Sequence, residues 1–279
     1  RDKTLYRQDY SRGLPQGPLE NLGSVSNRRG TTVCFHPDAD IFGVNTKFRP
    51  KRLYRMARSK AYLFKGVEIR WKCAPELIDE NDESAPPKED TFKFPNGLLD
   101  FLNAALEDRR TVTSAPFYGS VEFPNNEGRA EFALAWPDDE QGFGHSYCNT
   151  IPTAQGGTHE SGLRSAVTKS LKNFAELSGN KKAGNITADD ILGTSCVLLS
   201  VFIPDPQFQG QTKDKLTNAP VTRLVDNAIR DHFDNWLASD PVSAAKLLEF
   251  AIEKADTRLR RRKKDDLKRK SATKRLRLP

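Results

Sequence analysis

Three observations predict an α+β fold in which a mixed or antiparallel sheet carries helices on one face. Residues 117–136 hold two alternating apolar runs joined at Asn125-Asn126-Glu127-Gly128, the pattern of an antiparallel hairpin with one buried face. Cys196, Val197, Leu198, Leu199, Val201, Phe202 and Ile203 form a near-continuous apolar run, which suits a strand buried on both faces. Apolar residues then recur three and four apart at Leu163, Ala166, Val167, Leu171 and Phe174, and again from Val221 to Leu237, as on helices that lay one stripe on a core.

In chain order, Thr4–Tyr10 alternates like a strand and needs a neighbour to pair with. Residues 30–36 read as a second strand, ending at Pro37-Asp38. Pro50 opens a helix through Lys60, with Leu53, Met56 and Ala57 inward. Val67, Ile69 and Trp71 alternate as a strand, and the acidic stretch 75–90, with Pro86-Pro87, reads as an exposed loop between paired strands. Phe92-Lys93-Phe94 leads to Asn96-Gly97 and a short helix over 98–106, with a domain boundary near residue 95. Phe117, Val121 and Phe123 share one face of the next strand. Ala130, Phe132, Leu134 and Trp136 do so on its partner, and a third strand spans 145–151. Helix 161–177 precedes the apolar strand. After it, Val221, Leu224, Val225, Ala228, Ile229, Phe233, Trp236 and Leu237 line one helical face. Ser239-Asp240-Pro241 then caps a long helix running past Arg262 on a narrow stripe of Ala244, Leu248, Ala251, Ala255 and Leu259.

A chain of 279 residues accommodates one and a half to two domains, and a 37% hydrophobic fraction allows real cores. No run of eighteen apolar residues and no signal segment occurs, so neither a membrane span nor secretion is indicated. Cys34, Cys73, Cys148 and Cys196 lie far apart, without histidines at ligand spacing, and read as free thiols in a reducing cytoplasm. The only methionine is Met56 and residue 1 is arginine, which suggests a piece of a longer protein. Charge is uneven. Residues 258–279 hold twelve Lys or Arg against two Asp, a local +10, so residues 1–257 carry −3 of the total +7. Such a block, including Arg258, Arg260, Arg261, Arg262, Lys263 and Lys264, suits several phosphates of double-stranded DNA. The bland alternative is a solvated helix end.

Two loops carry candidate chemistry. Ile203-Pro204-Asp205-Pro206-Gln207-Phe208-Gln209-Gly210-Gln211-Thr212-Lys213-Asp214-Lys215-Leu216 joins the apolar strand to amides and ammonium groups able to meet a phosphate, or only solvent. Gln155-Gly156-Gly157-Thr158-His159-Glu160 is a glycine turn before a helix. His159 reads as a structural histidine near that helix start. His36, His145 and Asp189-Asp190 show no partner spacing for metal or acid-base work.

With Gly30-Thr31-Thr32-Val33, Pro37-Asp38, Ile41-Phe42 and Arg275-Leu276-Arg277-Leu278-Pro279, these loops make the chain resemble the bacterial type IIA topoisomerase B subunits over essentially its whole length. Leu53–Phe64 and Ser146–Thr153 look more like the topoisomerase IV branch than the gyrase branch.

The resemblance implies the C-terminal part of a GHKL-type ATPase domain (1–95), a ribosomal-protein-like α+β transducer domain (96–239) and a long basic helix (240–279). It implies that Lys213 reaches the γ-phosphate of ATP with Gln211 beside it, and that Thr31 and Val33 line the adenine site, with Arg1 a weaker match at its rim. The catalytic glutamate and the magnesium ligands are expected outside the fragment, so this chain alone should not hydrolyse ATP. The parent would be a cytoplasmic, nucleoid-associated enzyme that dimerises through its ATPase domain and joins an A subunit in an A2B2 heterotetramer. Kept beside this reading are a gyrase-type B subunit and a non-enzymatic nucleic-acid-binding α+β module. A small-molecule kinase is disfavoured, because no usual glycine-rich phosphate loop is present.

Overall fold

In the computed structural model, residues 2–27, 29–44, 46–79 and 82–275 are described, with side chains to Asp265. Contacts divide the chain into two units, residues 1–53 and 54–279.

The first unit pairs β1 (Thr4–Arg7) with β4 (Glu20–Ser24), and β2 (Tyr10–Ser11) with β3 (Leu14–Pro15), both antiparallel. The partner of the first strand is thus β4. Asp38 accepts from the Asp40 N–H to cap the one-turn α1 (Ala39–Phe42), and Arg12 bridges Asp38 and Asp40 at 3.1 and 2.5 Å. The strand expected over 30–36 does not form: no described strand pairs with it, and Val33 and Phe35 are 77% and 70% exposed. A β-prone run without a ladder partner stays irregular.

Helix α2 (Pro50–Leu63) begins in the first unit and ends in the second. It buries its last turn, Ala61-Tyr62-Leu63, whereas Met56, expected inward, is 53% exposed. Aromatic stacking decides this, since the Tyr62 ring lies 3.7 Å from Phe94 and 4.7 Å from Phe101. β5 (Glu68–Lys72) and β6 (Glu89–Lys93) form the expected hairpin, with Ile69 and Trp71 turned inward.

The main sheet is five-stranded and mixed, in the order β10-β9-β11-β8-β7, from β7 (Phe117–Glu122), β8 (Arg129–Ala135), β9 (Phe143–Cys148), β10 (Ile151–Pro152) and β11 (Cys196–Phe202). β11 is central, antiparallel to β8 and parallel to β9, and its residues pack into a core on each face, as its apolar run requires. The third strand is interrupted at Asn149-Thr150, where the chain doubles back into β10.

Alternation along β8 and β11 divides two cores. Phe132, Leu134, Trp136, Leu199 and Val201 face α4 (Thr158–Leu177), α6 (Ala219–Ser239) and α7 (Pro241–Arg275). Ala133, Ala135, Cys196 and Leu198 face α3 (Leu98–Leu106) through Leu98, Leu102 and Leu106. The sheet therefore carries its large helices on one face and a short helix on the other, where helices on one face alone were expected. Small alanines on the outer face of β8 let α3 approach, so that face is not the polar half of a half-buried hairpin.

On the inner face, α4 and α6 meet at Gly162, where a Cβ would stand 2.6 Å from the Thr222 carbonyl oxygen. Trp136 is fully buried and donates to the Ile191 carbonyl at 2.9 Å, which satisfies its indole N–H. α5 (Ala188–Leu192) follows α4, and β12 (Phe208–Gln209) pairs with β13 (Lys215–Leu216). The α7 start is capped as the sequence predicts: Asp240 accepts from the Ser243 N–H at 3.0 Å and from the Ser114 hydroxyl at 2.9 Å.

Candidate functional site

The lysine loop leaves β11 at Ile203 and returns at α6. Pro204 and Pro206 end the sheet pairing, and the short β12–β13 ladder closes a turn over 210–213. Gly210 and Lys213 both adopt left-handed backbone, φ 72° and 59°. Glycine does so freely, and a lysine there is held by its surroundings. The base of the loop is fixed by Asn218, which accepts from the Gln207 N–H at 2.6 Å and donates to the Asp205 carbonyl at 2.9 Å. Thr217 adds backbone and hydroxyl bonds to the Gln207 carbonyl at 2.9 and 3.1 Å.

The two loops singled out in the sequence meet. The Gln155 N–H donates to the Asp214 carbonyl at 2.9 Å, and the Leu216 N–H to the Gly156 carbonyl at 3.0 Å, with Gly157 in a parallel bridge to Leu216. Gly156 and Gly157 take φ 68° and 143°, and a Cβ on Gly157 would stand 2.3 Å from the Leu216 carbonyl oxygen. Only glycine fits this approach.

Gln211 and Lys213 are exposed at the loop tip. The Lys213 ammonium lies 5.9 Å from the Phe208 ring centroid, and no carboxylate among the described residues pairs with it. A lysine so presented can accept an anion without first breaking an ion pair. Lys215 belongs to β13 and, with Thr158, Ser161, Arg164 and Thr217, lines an open cavity of about 420 Å³ at the start of α4.

Below the glycine turn runs a buried polar chain. Glu160 accepts from the Ser146 hydroxyl at 2.5 Å, the Ser146 and Thr153 hydroxyls are 2.6 Å apart, and Thr153 lies 3.1 Å from His159 Nε2. His159 is fully buried, and burial pushes its pKa down to about 4, so it is neutral at physiological pH. Its Nδ1 has no hydrogen-bond partner among the described residues, so the structural histidine expected from the sequence is only half satisfied.

Thr31 and Val33 lie exposed in the first unit and the lysine loop lies in the second. Arg1 falls outside the described residues, as does the Leu276–Pro279 end of the C-terminal motif. Among the basic residues, Arg258 is engaged by Asp190 at 2.9 and 2.8 Å, whereas Arg260, Arg261, Arg262, Lys263 and Lys264 are exposed on α7. Among the described residues no group of three His, Cys, Asp or Glu could hold a metal ion, and no helix is long and apolar enough to cross a membrane. Sequence reading missed Thr153, Glu160 and Asn149. Asn149 fell inside the strand expected over 145–151, which hid the turn.

The site is thus carried on a mixed α+β fold, with a lysine loop leaving the central strand and a glycine turn bonded to that loop. The family model for DNA gyrase B matches residues 97–267, and the chain belongs to that family. The chain is 52% identical over its whole length to the B subunit of DNA topoisomerase 4 from Bartonella bacilliformis, covering 40% of that protein. Against the B subunit of DNA gyrase from Eisenibacter elegans it is 34% identical, over 94% of this chain and 54% of that protein. The chain thus spans less than two thirds of the relatives it matches. Among solved structures, the 43K ATPase domain of Thermus thermophilus gyrase B, in complex with an aminocoumarin, superposes with a TM-score of 0.73 at 29% identity, covering 96% of this chain and 69% of that one.

Proposed function

We propose that the chain is the nucleotide-sensing and transducing part of a topoisomerase IV-like B subunit, which couples ATP binding and hydrolysis to passage of one DNA duplex through another. The observation that carries this reading is the joint between the two loops, which presents Lys213 at a left-handed tip with its ammonium free of any carboxylate among the described residues. Lys213 would pair with the γ-phosphate and Gln211 would donate beside it, stabilising negative charge on the transferring group. With a diphosphate in place Lys213 has no such partner. The loop is then without the interaction that distinguishes the two states, and its equilibrium position shifts.

Thr31 and Val33 would match the family positions that line the adenine site. Magnesium would be held by residues outside 1–279, so hydrolysis requires the rest of the subunit. The division into an ATPase portion to residue 95, a transducer to 239 and a basic helix beyond follows from the same reading. So do a self-dimer through the ATPase domain, an A2B2 assembly with the A subunit, a cytoplasmic location at the nucleoid, and duplex DNA met by Arg260 to Lys264. The higher identity to the B subunit of a topoisomerase 4 supports decatenation and relaxation over the supercoiling of a gyrase.

Lys213→Ala in the intact subunit, assembled with its A subunit, tests the reading. ATP-dependent strand passage should fall by roughly a hundredfold or more, with duplex binding unchanged. Strand passage at the parent rate would overturn it.

A further inference from the structure

The turn between β9 and β10 is built against its own sequence. Cys148 pairs with Ile151, so Asn149 and Thr150 form a two-residue hairpin loop, with φ 48° and 66°. Such a turn needs positive φ at both positions and favours Asn-Gly. Asn149 suits its place, but Thr150 is β-branched and occupies a conformation that glycine normally takes. Strain of this kind persists where neighbours hold it.

Two neighbours do. On one side, Lys60 near the end of α2 donates to the Thr150 carbonyl at 2.5 Å and to its hydroxyl at 2.8 Å. No carboxylate among the described residues pairs with Lys60, and burial lowers its pKa, so the two Thr150 oxygens are the partners of a partly desolvated ammonium. On the other side, Asn149 grips the end of β11 with three bonds. Its backbone N–H donates to the Val201 carbonyl at 2.8 Å, its side-chain amide to the Ile203 carbonyl at 2.8 Å, and its side-chain oxygen accepts the Ile203 N–H at 2.9 Å. Ile203 is the last residue before Pro204, where the lysine loop departs.

We propose that Lys60, Thr150 and Asn149 form a clasp that ties the end of α2 to the root of the lysine loop, with Lys60 a positioning residue for Lys213. The clasp is the polar attachment of the α2 end to the turn that fixes Ile203. A displacement of the α2 end pulls on Thr150, and through Asn149 on the residue from which the loop hangs. The proposal rests on the nucleotide-sensing role of Lys213 for its functional consequence, but not for its mechanical one.

The intact subunit, assembled with its A subunit, separates the two. Lys60→Met keeps the unbranched shape of the side chain, one atom shorter, and removes its donors; Lys60→Arg restores them. Without nucleotide, Lys60→Met should speed amide hydrogen exchange at Ile203 about tenfold and leave Leu198 and Leu199 in mid-β11 unchanged, with Lys60→Arg returning most of the protection. The same variant should lower strand passage per ATP hydrolysed severalfold, with the ATP KM moving less than about twofold.

Unchanged exchange at Ile203 would overturn the clasp. Faster exchange with an unchanged ratio would leave it a purely structural tie and overturn its positioning role. Full strand passage in Lys213→Ala would instead sink the sensing role while leaving the exchange result intact. If Lys60→Met fails to fold, Thr150→Gly serves: it removes the hydroxyl and relaxes the turn, and should lower strand passage per ATP while the subunit remains folded. Parent-like coupling in that variant overturns the proposal.

Discussion

Arg258 closes a two-pronged hydrogen bond on Asp190 from 68 residues away, through Nε at 2.9 Å and Nη2 at 2.8 Å, and the same Nη2 also donates to the Asn185 carbonyl at 2.8 Å. Asp190 is 5% exposed and also accepts the Thr187 N–H and hydroxyl, both at 2.8 Å, completing the cap of α5. Burial raises the Asp190 pKa, but the Arg258 and Thr187 bonds outweigh it and hold the carboxyl below its ordinary range. The long basic helix is therefore fastened to α5 and the turn before it by the first member of its own basic run.

That fastening is worth a measurable amount. Asp190→Asn should cost about 2 kcal/mol in chemical denaturation, because it weakens a charge-assisted fork in a shielded place. A double-mutant cycle with Arg258→Met should return a coupling of about 1 kcal/mol. Since the folded pKa is depressed, the contribution is present above the ordinary carboxylate value and fades as pH falls through the folded one. Additive single-mutant effects would show that the two side chains do not act together.

His159 gives a second pH dependence in a different window. Its neutral form is favoured in the fold, with the pKa down to about 4 against 6.5 for an unburied imidazole. The unfolded chain takes up roughly one more proton between these values. Stability is full above about pH 6.5 and declines as pH falls toward 4. His159→Gln should flatten that decline, read from denaturation midpoints at pH 6.5, 5.5 and 4.5, and an unaltered slope would point to another group.

Gly157 is the least replaceable residue of the loop joint. Gly157→Ala should destabilise by about 2 kcal/mol, from strain at φ 143° and the clash with the Leu216 carbonyl. Exchange of the Leu216 amide should rise with it, while Gly184→Ala, which has open space around it, serves as the silent control.

Replacing Arg260, Arg261 and Arg262 together with Ala should reduce the slope of log affinity against log salt for duplex DNA by about 2.7, at roughly 0.9 for each phosphate no longer neutralised. Arg258→Met should leave that slope alone, since Asp190 already holds its guanidinium.

Periodicity exposed those elements whose burial is set by one neighbour. The apolar run at 196–203 became the central strand, and the stripe from Val221 to Leu237 became the inner face of α6. It failed where a partner had to be supplied from elsewhere. Thr31 to Phe35 has the composition of a strand, but the ladder that would make it one is not in its own sequence. Met56 fits an apolar stripe, yet the α2 end is decided by Phe94 and Phe101. Both loops of the candidate site were legible as loops. Their bonding was not, because it joins main-chain atoms some sixty residues apart, and no side-chain pattern records it. The Asp190 fork was hidden for a related reason, since Arg258 reads as one more positive charge until its partner is located.

The bonds between the glycine turn and the lysine loop draw on Gln155, Gly156, Asp214 and Leu216 through peptide groups alone. Substitutions that alter the side chains at 155 and 214 therefore leave the register of the joint as it is. Sequence drift can accumulate around the joint without shifting it. A molecule aimed at those side chains would meet a surface free to change without loss of the joint, whereas one seated against the bare Gly157 backbone would meet a position with no room to mutate.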